Sequence, residues 1–499
     1  MRYALFDEIL VPESLLAKPE TTFSVSDIER IPQPSKNSNY PFNQDLQKLL
    51  TGKQLLFDEI PNSLEEIQEH YENGYVTLRK GITFIKNKPR CERCGNQDAS
   101  WFASFPCSRC QGDCTYCRKC IMMGRVGQCT PLYSWVESEN LLLPYLTRLT
   151  WIGSLSDGQQ VASNKVVEAI TNNNELLCWA VCGAGKTEVL FQGIQHALSE
   201  RKRVCIATPR TDVVLELTPR LQAAFQNTDI ASLYGGSEDR HKYAPLTITT
   251  THQLLRFYKA FDTIILDEVD AFPYSVDETL QYAVKQARKE VSSMIYLTAT
   301  PNSQWQKECR NGKREYVTIP ARYHCHPLPV PSFVWCGNWS KLLKKNRLPP
   351  NVMKWLKERI ERNHPTLFFI PKIELIPQIL DILQTLHPKI EAVHAEDPNR
   401  KEKVQAMRNK EIPLLVTTTI LERGVTFPNL DVAVLGSEAQ IFTESALVQI
   451  AGRVGRSAQF PSGDITFFHY GRTEAMIKAR NQIRSMNKEA LVKGLIDIE

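Results

Sequence analysis

Ala180-Val-Cys-Gly-Ala-Gly-Lys-Thr187 follows an apolar run, Leu176–Trp179, and precedes a helix-like segment, Glu188–Ser199. A strand, a glycine turn and a helix in that order are what a phosphate-binding loop requires. Gly183 and Gly185, with Ala184 between them, let backbone N–H groups curl around phosphate oxygens, and the helix N-terminus behind them adds positive potential. Lys186 is expected to reach the β- and γ-phosphates of a nucleotide, and Thr187 to offer its hydroxyl to Mg²⁺. Ala180 stands where the standard pattern has its first glycine. A tight turn without nucleotide chemistry is the competing reading, and a second motif weighs against it. Asp267-Glu-Val-Asp270 ends another apolar run, Ile264–Leu266. Asp267 is expected to hold Mg²⁺ through its water shell, and Glu268 to orient or activate the attacking water.

Outward from this pair, short apolar runs alternate with helical periods. Leu176–Val181, Val204–Ala207, Thr247–Thr249, Ile264–Leu266 and Met294–Leu297 form one series. Thr366–Ile370, Ile390–Val393, Leu414–Thr417, Val432–Leu435 and Ile465–Phe468 form another. Strands alternating with helices imply parallel sheets with crossover helices, hence an α/β chain with two such domains. Pro320, Pro327, Pro329, Pro331, Pro349 and Pro350 punctuate the stretch between them, which reads as a linker. The expected divisions are 1–80, unassigned; 81–135, a cysteine-rich module; 136–319, the first α/β domain; 320–350, the linker; and 351–499, the second α/β domain.

Thr298-Ala-Thr300 follows a further apolar run, and Gln449-Ile-Ala-Gly-Arg-Val-Gly-Arg456 lies near the end. With the phosphate loop and the acidic motif they complete an ordered set that resembles the superfamily-2 helicases. The resemblance implies two tandem RecA-like domains. It implies that Thr298-Ala-Thr300 couples hydrolysis to movement, that Gln449 helps order the cleft, and that Arg453 and Arg456 face the nucleotide. A guanidinium placed there offsets the charge that develops on the γ-phosphate. Gln159, ahead of the phosphate loop, resembles the glutamine that reads adenine, and ATP over GTP rests mostly on the family. The family's grip on one nucleic-acid strand falls on Thr208-Pro-Arg210, Tyr234-Gly-Gly236 and Thr249-Thr-Thr-His-Gln253 in the first domain. It falls on Phe369-Ile-Pro-Lys372 and Thr417–Thr426 in the second. Pro209, Arg210, Gly235, Thr250, Thr251, Thr418 and Arg423 are the expected contacts, suited to phosphate rather than base recognition. Ordinary strand-end capping is the alternative for each threonine cluster.

Eight of the 14 cysteines fall between Cys91 and Cys129. The spacing is Cys91-x2-Cys94, Cys107-x2-Cys110, Cys114-x2-Cys117, then Cys120 and Cys129. Cys-x2-Cys turns present two thiolates to one tetrahedral ion, and Zn²⁺ is the usual occupant in a reducing cell. Eight thiols suffice for two ions, in an interleaved arrangement pairing Cys91 and Cys94 with Cys114 and Cys117, or for one ion with spare cysteines. An iron–sulfur cluster is the competing cofactor. The same stretch, from Arg79 on, carries ten Lys or Arg against Glu92, Asp98 and Asp113, in a chain of net charge +5. A basic module on a roughly neutral body suggests a polyanion contact; a solvated charged surface is the bland reading. Trp101, Phe102, Phe105 and Tyr116 interleave with those cations, either to stack on bases or to fill a small core around the metal.

Composition is that of a globular protein, 42% hydrophobic and 23% charged. No apolar run is long enough for a transmembrane helix, and Met1–Lys18 lacks a signal-peptide core. A reducing compartment is therefore expected. The cysteine module ahead of the motor, Asp267-Glu-Val-Asp-Ala-Phe-Pro273, Thr417–Val425 and Ile483-Arg-Ser-Met-Asn487 together resemble the late competence ComFA family of Gram-positive bacteria, from about residue 80 onward. That resemblance implies a DNA-dependent ATPase driving single-stranded transforming DNA inward, cytoplasmic and peripheral at the inner membrane face. Its implied partners are companion competence proteins and the uptake channel. A nucleotide-gated DNA-binding adaptor and a primosomal replication-restart helicase are the alternatives.

Overall fold

The computed structural model describes residues 2–17, 21–136, 147–421 and 427–496. They fall into two compact units: Met1–Ile152, Val166–Glu175 and Phe191–Tyr296 in the first, and Gly153–Lys165, Leu176–Leu190 and Leu297–Glu499 in the second. The division passes within the helices Asp157–Thr171 and Lys186–Ser199 and the strands Glu175–Ala180 and Arg288–Thr298.

In the first unit, five parallel strands run in the order Ile230–Leu233, Leu246–Thr250, Val204–Thr208, Phe261–Leu266, Arg288–Thr298. Val204–Thr208 and Leu246–Thr250 are buried at every position, because helices cover both faces of a parallel sheet; Val204–Thr208 accordingly reads as an apolar run up to its last residue, while Leu246–Thr250 buries three threonines. Ala207 registers against Leu266, so Thr208 to Arg210 and Asp267 to Glu268 emerge side by side at the sheet's carboxyl edge. Ligands of open α/β sheets bind outside that edge.

The region before the sheet, read as unassigned, has its own core. Tyr3, Leu10, Leu46, Leu50, Ile67, Tyr71 and Val76 pack with Tyr133 and Trp135. The strand Val76–Lys80 pairs antiparallel with Pro131–Trp135, Lys80 opposite Pro131. Residues 81–130, the cysteine module, are thus inserted between two hydrogen-bonded strands. Two hairpins form that insertion: Ile82–Ile85 with Lys88–Cys91, and Phe102–Cys107 with Gly112–Cys117.

The second unit holds a six-stranded parallel sheet, ordered Ser332–Trp335, Ile465–His469, Asp431–Leu435, Thr366–Phe369, Leu414–Thr417, Glu391–Val393. Val352, Leu356, Phe368, Ile379, Leu383, Val416 and Leu435 are among its core residues. The same unit pairs Leu177–Ala180, which lead into the phosphate loop, with Tyr316–Ile319. Within the proline-rich stretch read as linker, Ser332–Trp335 forms the edge of the six-stranded sheet, where the preceding Pro331 takes no ladder hydrogen bond away. Pro350 opens the helix Pro350–Glu361 at its first position, where a missing N–H costs nothing.

Candidate active site and metal centres

In the second unit, Leu176–Ala180 of the strand Glu175–Ala180 leads through Gly183 (φ +81°) and Gly185 (φ +68°) into the helix that begins at Lys186. Both glycines have the left-handed backbone that side chains oppose. Gly185 has a second constraint: a β-carbon there would fall 2.4 Å from Gln159 Nε2. Gln159 is buried, accepting from the Ser156 amide (2.8 Å) and donating to Ala184 O (2.8 Å). Its amide therefore braces the loop that the sequence assigns to phosphate.

The arginine motif is brought to this loop. Cys182 Sγ donates to Gln449 Oε1 at 3.0 Å, both groups buried. Gln449 lies on the helix Glu444–Ala451, whose N-cap is Thr443. Ser445 on that helix meets Thr300 Oγ1 at 2.9 Å, and Thr300 N donates to Thr298 Oγ1. Trp179 Nε1, on the strand before the loop, donates to Ala299 O (3.0 Å). Thr298-Ala-Thr300 is thus joined both to the phosphate-loop strand and to the helix leading into Arg453 and Arg456. Arg453 is buried, and Arg456 Nε donates to Gly452 O (2.8 Å). One residue that carries no motif, Arg322, is buried at the same junction.

In the first unit, Asp267 follows the strand Phe261–Leu266, and its Oδ1 accepts from the Glu268 amide (2.8 Å). Glu268 has φ +55°. A left-handed non-glycine residue costs on the order of 1 kcal/mol and clusters at functional sites.

The expected DNA contacts are differently placed. Arg210 forms a bidentate pair with Asp212 (3.0 and 2.6 Å), which follows Pro209 at the start of the helix Thr211–Ala224. Thr250 and Thr251 are buried, where the strand Leu246–Thr250 passes into the 3₁₀ turn Thr251–Arg256. Gly235 is open, with no atom within 4 Å of an added β-carbon. Thr418 is half-buried after the strand Leu414–Thr417. Arg423 lies outside the described residues.

Eight cysteines gather into two groups of four: Cys91, Cys94, Cys117 and Cys120, and Cys107, Cys110, Cys114 and Cys129. In each group the sulfurs lie within 4.8 Å of one another. Cys91–Cys120 and Cys94–Cys117 are 3.8 and 3.7 Å apart; Cys107–Cys129 and Cys114–Cys129 are 3.9 and 3.7 Å. Four sulfurs about 2.3 Å from one tetrahedral ion stand about 3.8 Å apart, so both groups fit such an ion.

The interleaved pairing expected from the sequence is corrected. Cys117 joins Cys91 and Cys94, but Cys114 does not. Cys114 and Cys117 share the strand Gly112–Cys117 instead of a turn, and residues three apart on a strand face opposite sides. The two turns that do form are closed by a left-handed residue, Gly95 (φ +72°) bonding back to Cys91 O and Gln111 (φ +56°) to Cys107 O.

Arg93, fully buried inside the first turn, donates to Cys120 O (2.9 Å) and Sγ (3.4 Å), Met123 O (2.8 Å) and Gly124 O (2.6 Å). A buried cation beside four sulfurs suits thiolates, whose surplus negative charge it offsets. Hydrogen bonds from neighbouring thiols, with the Arg93 charge, pull the Cys120 thiol far below its ordinary range. Phe105 and Tyr116 meet edge to face (5.6 Å) under Arg125, and Phe105 packs against the second group, so this half-buried pair belongs to the module's own packing. Trp101 is the exposed aromatic of this set, with Lys119 Nζ 5.0 Å from its ring.

Comparison with known proteins bears on all three regions. Residues 35–134 match the competence protein ComFA N-terminal domain, 152–303 the type III restriction enzyme res subunit, and 350–458 the helicase conserved C-terminal domain. The chain is 51% identical to competence protein ComFA of Bacillus subtilis over 91% of its own length and 97% of the relative's. It is 39% identical to competence protein ComFA of Streptococcus pneumoniae, over 87% and 97%. A transcription-repair-coupling factor of Staphylococcus aureus is 28% identical over 59% of this chain and 25% of that one. Among solved structures, Saccharomyces cerevisiae Dbp5 bound to RNA and ADP BeF3 aligns at TM-score 0.47 and 14% identity, over 69% of this chain and 98% of that one.

Proposed function

The chain belongs to the family of competence protein ComFA, and from that membership we propose that it is an ATP-driven translocase that pulls single-stranded transforming DNA into the cell. Its enzymatic class is a DNA-dependent ATPase of the superfamily-2 helicase type, built on two parallel-sheet RecA-like domains. The observation that carries the translocase reading is the junction in the second unit. Cys182 of the phosphate loop bonds Gln449, and Thr300 bonds Ser445 of the same helix. A loop that grips phosphate, tied to the helix that leads into Arg453 and Arg456, can convert nucleotide turnover into movement.

In this reading Lys186, Gly183, Ala184 and Gly185 hold the phosphates, Thr187 and Asp267 serve Mg²⁺, and Gln159 braces the loop. Glu268 positions the water that attacks, and Arg453 and Arg456 offset the charge developing on the γ-phosphate. ATP with Mg²⁺ supplies the bond that is broken. Pro209, Arg210, Gly235, Thr250, Thr251, Thr418 and Arg423 mark the strand's track. Zn²⁺ in both cysteine groups holds the basic module in shape. Among the described residues no helix is long and apolar enough to cross a membrane. The motor's place at the inner membrane face therefore rests on companion competence proteins and the uptake channel.

The test is a single-strand translocation assay with a protein roadblock. ATP-dependent displacement, lost in Lys186→Ala, is expected. DNA-stimulated turnover without displacement would make the protein a nucleotide-gated adaptor. A Lys186→Ala strain that transforms normally but fails in replication restart would favour the primosomal reading.

A further inference from the structure

Arg322 comes shortly after the strand Tyr316–Ile319 and is only 2% exposed. Its Nε donates to Cys182 O (3.1 Å), at the start of the phosphate-loop turn. Nη1 donates to Val454 O (2.7 Å) and to Gly455 O, and Nη2 to Gly452 O (3.2 Å). One planar guanidinium thus spans the loop on one edge and the turn of the arginine motif on the other. The guanidinium packs against both glycine turns, in ordinary contact at Gly183 and tightly at Gly455. A β-carbon on Gly183 would lie 3.5 Å from Nε, and one on Gly455 3.0 Å from Nη1.

Two features separate this arginine from an ordinary buried ion pair. All its hydrogen bonds go to main-chain carbonyl oxygens, and among the described residues no carboxylate pairs with it. The charged group that acts on it most strongly is another cation, Arg456. Burial first, then the Arg456 charge, lower its pKa to about 10, so it remains charged near neutrality. A buried charge without a counter-ion is unfavourable, and packing alone would be served better by an apolar side chain. Moreover, Gly452 O accepts from both Arg322 and Arg456 (2.8 Å), so the bridge reaches an arginine assigned to the γ-phosphate through one shared oxygen.

We propose that Arg322 is a positioning residue for ATP hydrolysis: its guanidinium fixes the spacing between the phosphate loop and the arginine motif. This rests on the assignment of Lys186 to the phosphates and of Arg453 and Arg456 to the developing charge. Binding of ATP depends mainly on the loop. The rate of the chemical step depends on where the arginines stand relative to it. Loosening the bridge therefore acts on kcat far more than on KM. Lysine cannot replace the fork, because a single ammonium lacks the planar array of donors that reaches both sides at once.

Full-length Arg322→Lys and Arg322→Gln are compared with wild type by single-stranded-DNA-stimulated ATPase kinetics, binding of a fluorescent ATP analogue, and thermal melting. Arg322→Lys is expected to lower kcat by about tenfold or more, with KM and nucleotide affinity within about threefold and melting nearly unchanged. Arg322→Gln, with no charge and a shorter reach, should lose more. A folded Arg322→Lys with kcat within about twofold of wild type overturns the proposal. So does a rise in KM at unchanged kcat, or loss of the melting transition in both variants, which would leave a purely structural role. Lys186→Ala separates the underlying assignment: normal nucleotide binding there would refute the loop reading itself, whatever Arg322 does.

Discussion

Gly452 lies so close to Cys182 that a β-carbon added to it would fall 2.4 Å from the cysteine's Cβ and 2.7 Å from its sulfur. The glycine of the arginine motif is needed for close approach rather than for its backbone angle. Gly452→Ala is therefore expected to push the helix Glu444–Ala451 away from the phosphate loop. Overpacking of this kind costs about 1–3 kcal/mol. Here it should stretch the Cys182–Gln449 bond and lower ATP turnover at least about tenfold, with a smaller fall in melting temperature. Steady-state hydrolysis and thermal melting check it; unchanged turnover would show that the loop and helix need not touch.

Lys186 and Glu268 should separate binding from chemistry. Lys186→Ala is expected to abolish hydrolysis and weaken ATP binding. Glu268→Gln should lose hydrolysis by about a hundredfold or more while keeping ATP affinity, since water positioning matters only as the bond breaks. Glu268 holds a left-handed backbone (φ +55°) that a same-shaped glutamine keeps. Nucleotide titration beside a turnover assay distinguishes the two; equal loss of affinity would contradict the division of roles.

The cysteine groups make a stoichiometric prediction. Cys114→Ser and Cys117→Ser alter neighbours in sequence but different groups. Each single variant should retain about one of two zinc ions, and the double variant should retain neither. Elemental analysis of protein purified under reducing conditions reads this directly. A single variant that loses both ions would mean that the groups are one cooperative unit.

Lys53 sets a pH dependence. It is 2% exposed, with Nζ donating to Arg240 O (3.3 Å). Burial, then the charges of Arg203 and Arg256, lower its pKa to about 7, against the pull of Glu59. Unfolded lysine titrates at about 10.4. Between these values the unfolded chain binds a proton that the folded chain does not, so Lys53 makes stability rise as pH climbs from about 7 toward 10. Below about 7 both states are protonated and the full penalty, of order a few kcal/mol, is present. Lys53→Met should remove this slope. The melting advantage of the variant over wild type should shrink between pH 7 and pH 9, and a constant difference would count against a neutral buried amine.

Much of the motor was legible because its strands are buried on both faces. Val204–Thr208 and Leu414–Thr417 are apolar throughout apart from their final threonines, and apolar runs of this kind are hard to mistake. Ile230–Leu233 was not foreseen, as a four-residue strand at a sheet edge with Ser232 in it. Cys-x2-Cys does not reveal whether it will be a turn or a strand, so the partition of Cys114 and Cys117 needed three dimensions. Arg210 looked free for phosphate because nothing marked Asp212 as its partner. Arg322 belongs to no motif; its importance comes only from the carbonyls that chain folding gathers around it.

The insertion of residues 81–130 between two paired strands has a consequence for how the chain is made. Trp135 and Tyr133 complete the N-terminal core, yet Pro131 must find Lys80 across fifty residues. Closing a flexible loop of that length costs about 3.5 kcal/mol of chain entropy. Metal held by the cysteines, as proposed above, would knot the intervening chain into a small folded body and shorten the loop left to close. On a nascent chain, the ion would thus act before the motor exists, as the step that lets the first core form. Scarcity of zinc during synthesis would then show first as fewer chains reaching maturity, before it shows as finished motors with a damaged module.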